Sequence, residues 1–393
     1  MAGATRSHML VPTACGFLAL VAATIALLPV LRPAAWSLTA LPRVDANSGM
    51  GAAARKIDPG FHTVETGAYD GQFYWGIAVD PLATGDVHQA FDTASYRYGH
   101  PLLGWLGWLV SAGQARAAPA ALLAVGLAAL VAAAVGASLL GQAFGRQGWE
   151  GMFVAANPGL LYAAVHDLAE PLSAALLLGG LLAYTRNRRL LAAVCFGLLV
   201  LSKEQFVLVP LAVAAWELLR ARGRIRDTWI FAACILPAAC WWIYARIQLG
   251  AWFTTGAALA LPFVGWTRAV LDAGLGTYSP DGAVNISAES TLVILAALLI
   301  LLAMAGVLAL RLRGATDAAY LAIAVVAACL VADSTTLLRD ALRNVAVLLT
   351  LVPFAIASLP LLPWWAGSWT ARSRDEAQPD RRPQPVLDGA PEA

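Results

Sequence analysis

From residue 117 to residue 142 the chain carries no charged side chain. A helix needs about 20 apolar residues to cross a bilayer, where no water is present to satisfy a broken backbone hydrogen bond. Such runs recur along this chain. The clearest cover 9–31, 117–142, 168–185, 228–246, 291–311, 315–333 and 344–365, and shorter ones cover 101–113, 190–202 and 205–219. The segment 150–165 is also apolar, but Asn157-Pro158-Gly159 interrupts a helix in its middle. The expectation is an all-α polytopic membrane protein with about ten to eleven transmembrane helices.

Composition narrows the class further. Of 393 residues, 60% are hydrophobic and 13% are charged, whereas a soluble domain is about half apolar and about a quarter charged. So little charge cannot cover a water-soluble surface. A cytosolic enzyme, a secreted disulfide scaffold and a disordered tail protein are excluded. A net charge of +2 gives no reason to expect nucleic acid as a partner. Cys15, Cys195, Cys234, Cys240 and Cys329 lie in apolar runs without a CxxC pair, and read as small core residues. The run from Leu10 to Leu31 is longer than a signal-peptide core and is expected to remain as a first helix.

Arginine sets the expected orientation. Arg186, Arg188 and Arg189 form one cluster, and Arg220, Arg222, Arg224 and Arg226 another; Arg311, Arg313 and the tail arginines Arg372, Arg374, Arg381 and Arg382 complete the set. Placing them all in the cytoplasm satisfies the positive-inside bias. Both termini are then inside, and 32–100, 247–290 and 334–343 are outside. The count stays even if 150–165 is re-entrant or interfacial; if it crosses, another short segment must not. Trp241, Trp242, Trp364 and Trp365 stand at span ends, as an interfacial belt requires. Residues 1–367 form the membrane domain on this reading. The Pro-rich, charged stretch 368–393 is expected to be a disordered cytoplasmic tail.

Three groups of charged residues invite chemistry. The first is the hairpin 190–219, bounded by two arginine clusters. Its two helices of about 14 residues rise only about 21 Å each, against a hydrocarbon core of about 30 Å. The turn with Lys203 and Glu204 then stops inside the membrane, where charge is costly and usually marks a site. Mutual neutralisation of the two is the plainer alternative.

The second group is acidic. Asp70 precedes Gly71-Gln72-Phe73-Tyr74-Trp75 in the first outer loop. It suits a helix N-cap, with Phe73, Tyr74, Ile77 and Ala78 forming one apolar face of a helix lying flat on the membrane surface. An aromatic platform following an acid also suits sugar binding. Asp167 and Glu170 have capping-box spacing. Together with Asp70 and Glu204, they also suit general-base work or a divalent cation. The third group is Arg339, Asp340 and Arg343; the two arginines share a helix face and suit an anion such as a lipid phosphate. Arg97 and His100 are further candidates for that anion. Asn285-Ile286-Ser287 matches a glycosylation acceptor pattern by chance frequency alone.

The order of these motifs resembles a known family. It runs Asp70-Gly71-Gln72-Phe73-Tyr74, Ile77-Ala78-Val79-Asp80-Pro81, then Tyr96-Arg97 followed by Pro101. Next come Asn157-Pro158-Gly159, Asp167-Leu168-Ala169-Glu170-Pro171 and Leu201-Ser202-Lys203-Glu204. Over about residues 10–220 this is similar to the GT-C superfamily of membrane glycosyltransferases, nearest its bacterial mannosyltransferase-like (PIG-V-like) branch. Beyond that, only hydropathy and Arg343 carry the likeness. The resemblance implies a GT-C-like fold with interfacial helices in a long first outer loop, in a bacterial cytoplasmic membrane with the site on the outer face. It implies a polyprenyl-phosphate sugar as donor and a cell-envelope glycan or lipid as acceptor. It makes Asp70 the catalytic base and Asp167 or Glu170 a second acid. Gln72, Tyr74, Asp80, Arg97, His100, Lys203, Glu204, Arg339 and Arg343 would bind substrate. Two departures stand out: Lys203 and His100 occupy positions where related chains often carry arginine, which removes a two-pronged phosphate contact. A transporter or flippase for a lipid-linked sugar, and a non-catalytic glycan-binding assembly protein, are the competing functions.

Overall fold

Leucine and alanine dominate the apolar runs, and both are strong helix formers. The computed structural model describes residues 2–220, 225–254, 259–275, 288–310, 312–330 and 338–358. Outside the described residues lie the Asn285–Ser287 triplet, Arg222, Arg224, Arg311, Trp364, Trp365 and the 368–393 tail, as do the side chains of Arg220, Arg226 and Arg339.

The chain opens with α1 (Ala2–Leu31), then β1 (Val44–Asp45), α2 (Gly49–Ile57), β2 (Thr63–Val64), α3 (Gly71–Val79) and α4 (Ala94–Arg97). Next come α5 (Leu102–Val110), α6 (Ala118–Ala143), α7 (Glu150–Ala155), α8 (Pro158–Ala164), α9 (Glu170–Thr185), α10 (Arg189–Ser202) and α11 (Leu208–Arg220). The last third holds α12 (Ile225–Ala233), α13 (Leu236–Leu249), α14 (Val264–Leu275), α15 (Ala288–Leu310), α16 (Ala315–Ala328) and α17 (Leu338–Ser358). Among the described residues, four helical stretches are long and apolar enough to cross a membrane: Met9–Leu31, Ala115–Ala143, Thr228–Leu249 and Asp340–Ser358. Shorter apolar helices pack among them. The chain is an all-α protein with helices fit to span a membrane.

The contacts give the bundle two distinct ends. Leu27 and Leu31, late in α1, pack with Leu41, Val165 and Leu123. The Cys15 thiol, half-way back along α1, faces the Gly148 carbonyl at 3.9 Å. Helix α6 is therefore antiparallel to α1. It starts beside the first loop, where Arg116 Nε donates to the Ile57 carbonyl (3.1 Å). It ends beside Cys15. The pair α7–α8 then climbs back, from Glu150 to Val165.

Of the two threadings left open, the packing fits the second. The broken segment 150–165 runs the return leg along α6, and 101–113 is the short segment. Helix α5 has nine residues and rises only about 14 Å. Its Trp105 indole donates to the Pro81 carbonyl (2.9 Å), and the chain is back beside Ile57 by Arg116.

The long segment after α1 is ordered and packed, not draped on a surface. Strands β1 and β2 pair in parallel, and Gln72 Oε1 accepts from the Asp45 amide (3.3 Å). Residues Gly71 to Ala78 of α3 are all buried. The expectation of one apolar face is therefore corrected: α3 is covered on both faces. Tyr74 and Ile77 pack with Leu102, Leu103 and Leu122, while Trp75 and Phe61 meet at 5.0 Å between ring centres. Trp241 and Trp242 are likewise not simple membrane anchors. Their indoles donate to the carbonyls of Tyr98 (2.6 Å) and Gly99 (2.8 Å). One to two turns on, Tyr244 and Gln248 donate to Leu82 and Ala83 (both 2.9 Å). Helix α13 thus latches the first loop through four backbone carbonyls.

Candidate functional site

Two backbone approaches bring distant segments together. The Asn157-Pro158-Gly159 motif begins α8: the Asn157 side chain accepts from the amides of Gly159 and Leu160, and its Nδ2 donates to the Ala346 carbonyl (2.9 Å). Gly159 lies so close to α17 that a Cβ there would come within 2.3 Å of the Leu342 carbonyl oxygen. The motif that interrupts the helix therefore sets the place of Arg343, the next residue. Gly71 does the same for Asp70. A Cβ at Gly71 would come within 2.3 Å of the His166 carbonyl oxygen, so the start of α3 sits directly on the turn that precedes Glu170.

At this junction the charged residues form one chain of ion pairs. Asp70 Oδ1 meets Arg97 Nη1 at 3.0 Å, and Asp70 Oδ2 meets Arg343 Nη1 at 2.8 Å. Arg343 Nε lies 3.4 Å from Glu170 Oε1, and Lys203 Nζ holds the same oxygen at 2.6 Å. Arg97 also grips Asp92 with two nitrogens, at 2.7 and 3.1 Å. The neighbour of Lys203 in the hairpin turn, Glu204, takes His100 Nδ1 at 2.9 Å. The Ser173 and Ser202 hydroxyls hydrogen-bond (2.9 Å) and tie α9 to α10 just below this level. Exposure is graded: the Asp92 side chain is 52% exposed and Asp70 31%, while Glu170 is only 2% exposed. The cluster opens to solvent on the first-loop side and closes toward α9.

Asp70 stands at the N-cap position of α3, but its side chain does not cap the helix. Its backbone is already helical, at φ −60° and ψ −20°, and its side chain makes no capping bond. Burial would push its carboxyl up, but the guanidiniums of Arg343 and Arg97 outweigh that and hold it well below the usual carboxylate range. Aromatic rings shape the cations. The Arg97 guanidinium lies 3.9 Å over the Phe73 ring and Arg343 lies 4.9 Å over Tyr69. The Tyr69 hydroxyl donates to Asp340. Tyr74 is buried, its ring 5.8 Å from His100. The aromatic residues after Asp70 thus support the charges and are not an open sugar platform.

The structure brings together Asp70, Arg97, His100, Glu170, Lys203, Glu204 and Arg343, with Tyr74 packed alongside. It leaves out three expected members, Asp80, Gln72 and Asp167. Asp80 accepts from the Thr84 amide (2.9 Å), the Gly85 amide (3.0 Å) and the His88 amide and ring (3.3 and 2.9 Å). It organises its own turn. Burial raises its carboxyl, but these donors, Gly85 first, bring it below the usual range. Gln72 is spent on β1. The Arg339 side chain lies outside the described residues. Asp167 makes no ion pair with the cluster and no capping box; both its oxygens are buried without a hydrogen-bond partner in the structure, at φ +54°. Burial pushes its carboxyl well up.

Asp92 and Tyr69 are contributors that sequence reasoning missed. Neither stands at helical spacing from its partner, so no local pattern pointed to them. Among the described residues, no group of three or more His, Cys, Asp or Glu side chains could hold a metal ion. Asp70, Asp92 and Glu170 are each engaged by Arg97, Arg343 or Lys203, and Glu204 by His100.

No family model matches this chain, and no curated protein or solved structure does so either.

Proposed function

We propose that this protein is a membrane glycosyltransferase of GT-C-like fold, with about ten crossings. It moves a sugar from a polyprenyl-phosphate donor to a glycan or lipid acceptor at the outer face of a bacterial cytoplasmic membrane. The observation that carries this reading is the Asp70 carboxylate clamped between Arg97 and Arg343. A lipid phosphate is an anion of the same class as a carboxylate. When its charged head enters, it competes for the two guanidiniums, and Asp70 is freed toward the acceptor hydroxyl.

The chemistry asked of the protein is modest. The phosphate leaves readily, so the protein must activate the hydroxyl and steady the growing negative charge. One positioned carboxylate base contributes about 10²–10⁴-fold. Arg97 and Arg343 supply fixed positive charge where the leaving oxygen develops, the larger effect in most such reactions. Glu170, itself held by Lys203, keeps Arg343 in place from below.

The depth of the site supports a lipid-linked donor. Helix α9 spans 16 residues between Glu170 and the Arg186–Arg189 turn, a rise of about 24 Å. With those arginines at one membrane surface, the cluster falls a little short of the other surface of a core about 30 Å thick. That is head-group level. The test uses membranes carrying the full chain and radiolabelled polyprenyl-phosphate hexoses. Asp70→Asn is expected to abolish sugar transfer while expression and insertion stay unchanged. Full transfer by that variant rejects Asp70 as the base.

A further inference from the structure

Among the described residues, Asp92, Asp70 and Glu170 are ion-paired with Arg97, Arg343 and Lys203, and beside them stands a separate pair, Glu204 with His100. The His100 ring is held on several sides. Nδ1 lies 2.9 Å from Glu204 Oε2. With Glu204 ionised, that nitrogen carries the hydrogen and donates it, so the free lone pair sits on Nε2. A carboxylate behind an imidazole fixes its tautomer and stabilises the imidazolium once a proton arrives. The ring is gripped on two sides, by Tyr74 from α3 (5.8 Å between centres) and Tyr96 from α4 (5.3 Å).

Once a phosphate draws off the guanidiniums, Asp70 can take a proton, but it is badly placed to keep one. Protonating it removes the charge that Arg97 and Arg343 surround. The proton must pass onward before the site can reset. Both tyrosines lie in the fields of Asp70 and Glu204 together, and burial above all keeps their hydroxyls protonated. Tyr96 stands between the two centres: the Arg97 guanidinium that holds Asp70 lies 5.4 Å from its ring centre, and the His100 ring lies 5.3 Å from it.

We propose that the His100–Glu204 pair is the proton outlet of the site, receiving at His100 Nε2 the proton that Asp70 takes from the acceptor hydroxyl. This rests on the glycosyltransferase reading. The acceptor oxygen forms its bond to the sugar's anomeric carbon. The bond from that carbon to the phosphate oxygen breaks, and its electron pair leaves with the phosphate. The acceptor's proton goes to Asp70, then to His100, directly or through a tyrosine hydroxyl. It leaves to the departed phosphate or to water. His100 and Glu204 act through Asp70 and need not touch the sugar.

Steady-state transfer of radiolabelled polyprenyl-phosphate hexose by the full chain in membranes tests this. His100→Gln and Glu204→Gln are each expected to lower kcat by about 10²–10³-fold, with the donor KM within about threefold. The double variant is expected to fall no further, because the pair acts as a unit. Added imidazole is expected to restore His100→Ala by tenfold or more, which a packing role does not allow. A loss that appears as raised donor KM without imidazole rescue overturns the outlet in favour of phosphate binding. An unchanged kcat in His100→Gln overturns it too, while leaving the glycosyltransferase reading standing. A wild-type chain that transfers no hexose from any donor overturns both.

Discussion

Asp70 and Asp167 are the same side chain in opposite settings. Asp70 is flanked by two guanidiniums and stays ionised; Asp167 is buried, makes no ion pair among the described residues and sits at φ +54°. An unpaired buried carboxylate destabilises a fold, and asparagine tolerates positive φ nearly as well as aspartate. Asp167→Asn is therefore expected to hold or raise the thermal unfolding midpoint in detergent and to retain sugar transfer. Asp167→Val, β-branched at positive φ, is expected to cost about 1–3 kcal/mol. A large loss of transfer in the asparagine variant would restore Asp167 as the second acid in place of Glu170. Asp80 gives a pH prediction. Its folded-state acidity is stronger than in the unfolded chain, so it contributes stability fully above an ordinary carboxylate pKa of about 3.9. That contribution is lost as pH falls through the lower folded value. Acid titration of proteolysis in the 80–90 loop is expected to show protection failing below about pH 4, with Asp80→Asn already susceptible at pH 6. Residue-scale legibility follows from cost. Charges in apolar surroundings stand out, which is why Glu170, Lys203, Glu204 and Arg343 were visible. Asp80 and Gln72 sit in a polar loop, where a turn-former and a ligand look alike.

At the scale of elements, glycine contacts decide more than helix propensity does. Gly159 and Gly71 each place an α-carbon against a backbone carbonyl of another segment, with no room for a methyl group. Gly159→Ala is expected to push α17 away from α8 and withdraw Arg343 from Asp70. The cost is about 1–3 kcal/mol of stability, with transfer falling further than stability does. Transfer at the wild-type rate with normal stability would show that α17 shifts without disturbing the site. The α13 latch makes a second test. Trp242→Phe keeps most of the ring but removes the donor to Gly99, at about 1 kcal/mol, and loosens the stretch between Arg97 and His100. Limited proteolysis between residues 94 and 100 is the measurement, and unaltered cleavage there argues against the latch. The sequence showed that Asn157-Pro158-Gly159 breaks a helix, but not that the break docks another one. It showed an amphipathic α3, but not that the loop folds over its second face. Both depend on partners far along the chain, which periodicity does not encode.

For the whole molecule, the sharpest consequence is the threading of the first half. Counting apolar residues favours 101–113 as a crossing and 150–165 as a surface segment, because the first is continuous and the second contains Pro158. The packing favours the other alternative, in which 150–165 crosses and 101–113 does not. A nine-residue α5 cannot reach across a core about 30 Å thick, while α7 and α8 stack end to end along α6 and continue past the break. The turn 144–149 therefore belongs with the Arg186–Arg189 turn, and Arg146 joins that arginine-rich end; its Nη1 donates to the Pro353 carbonyl, near the far end of α17 (3.0 Å). The turn 111–117 belongs instead with the first loop, through Arg116 and Ile57. Single cysteines at Lys56, Gln114, Gln147 and Asn187, in a chain whose five natural cysteines are replaced by alanine, separate the two threadings. A membrane-impermeant maleimide is expected to label positions 56 and 114 from one face and positions 147 and 187 from the other. Labelling of 147 together with 56 would return 150–165 to the surface. It would also break the route by which Gly159 reaches α17, and with it the account of how Arg343 comes to face Asp70.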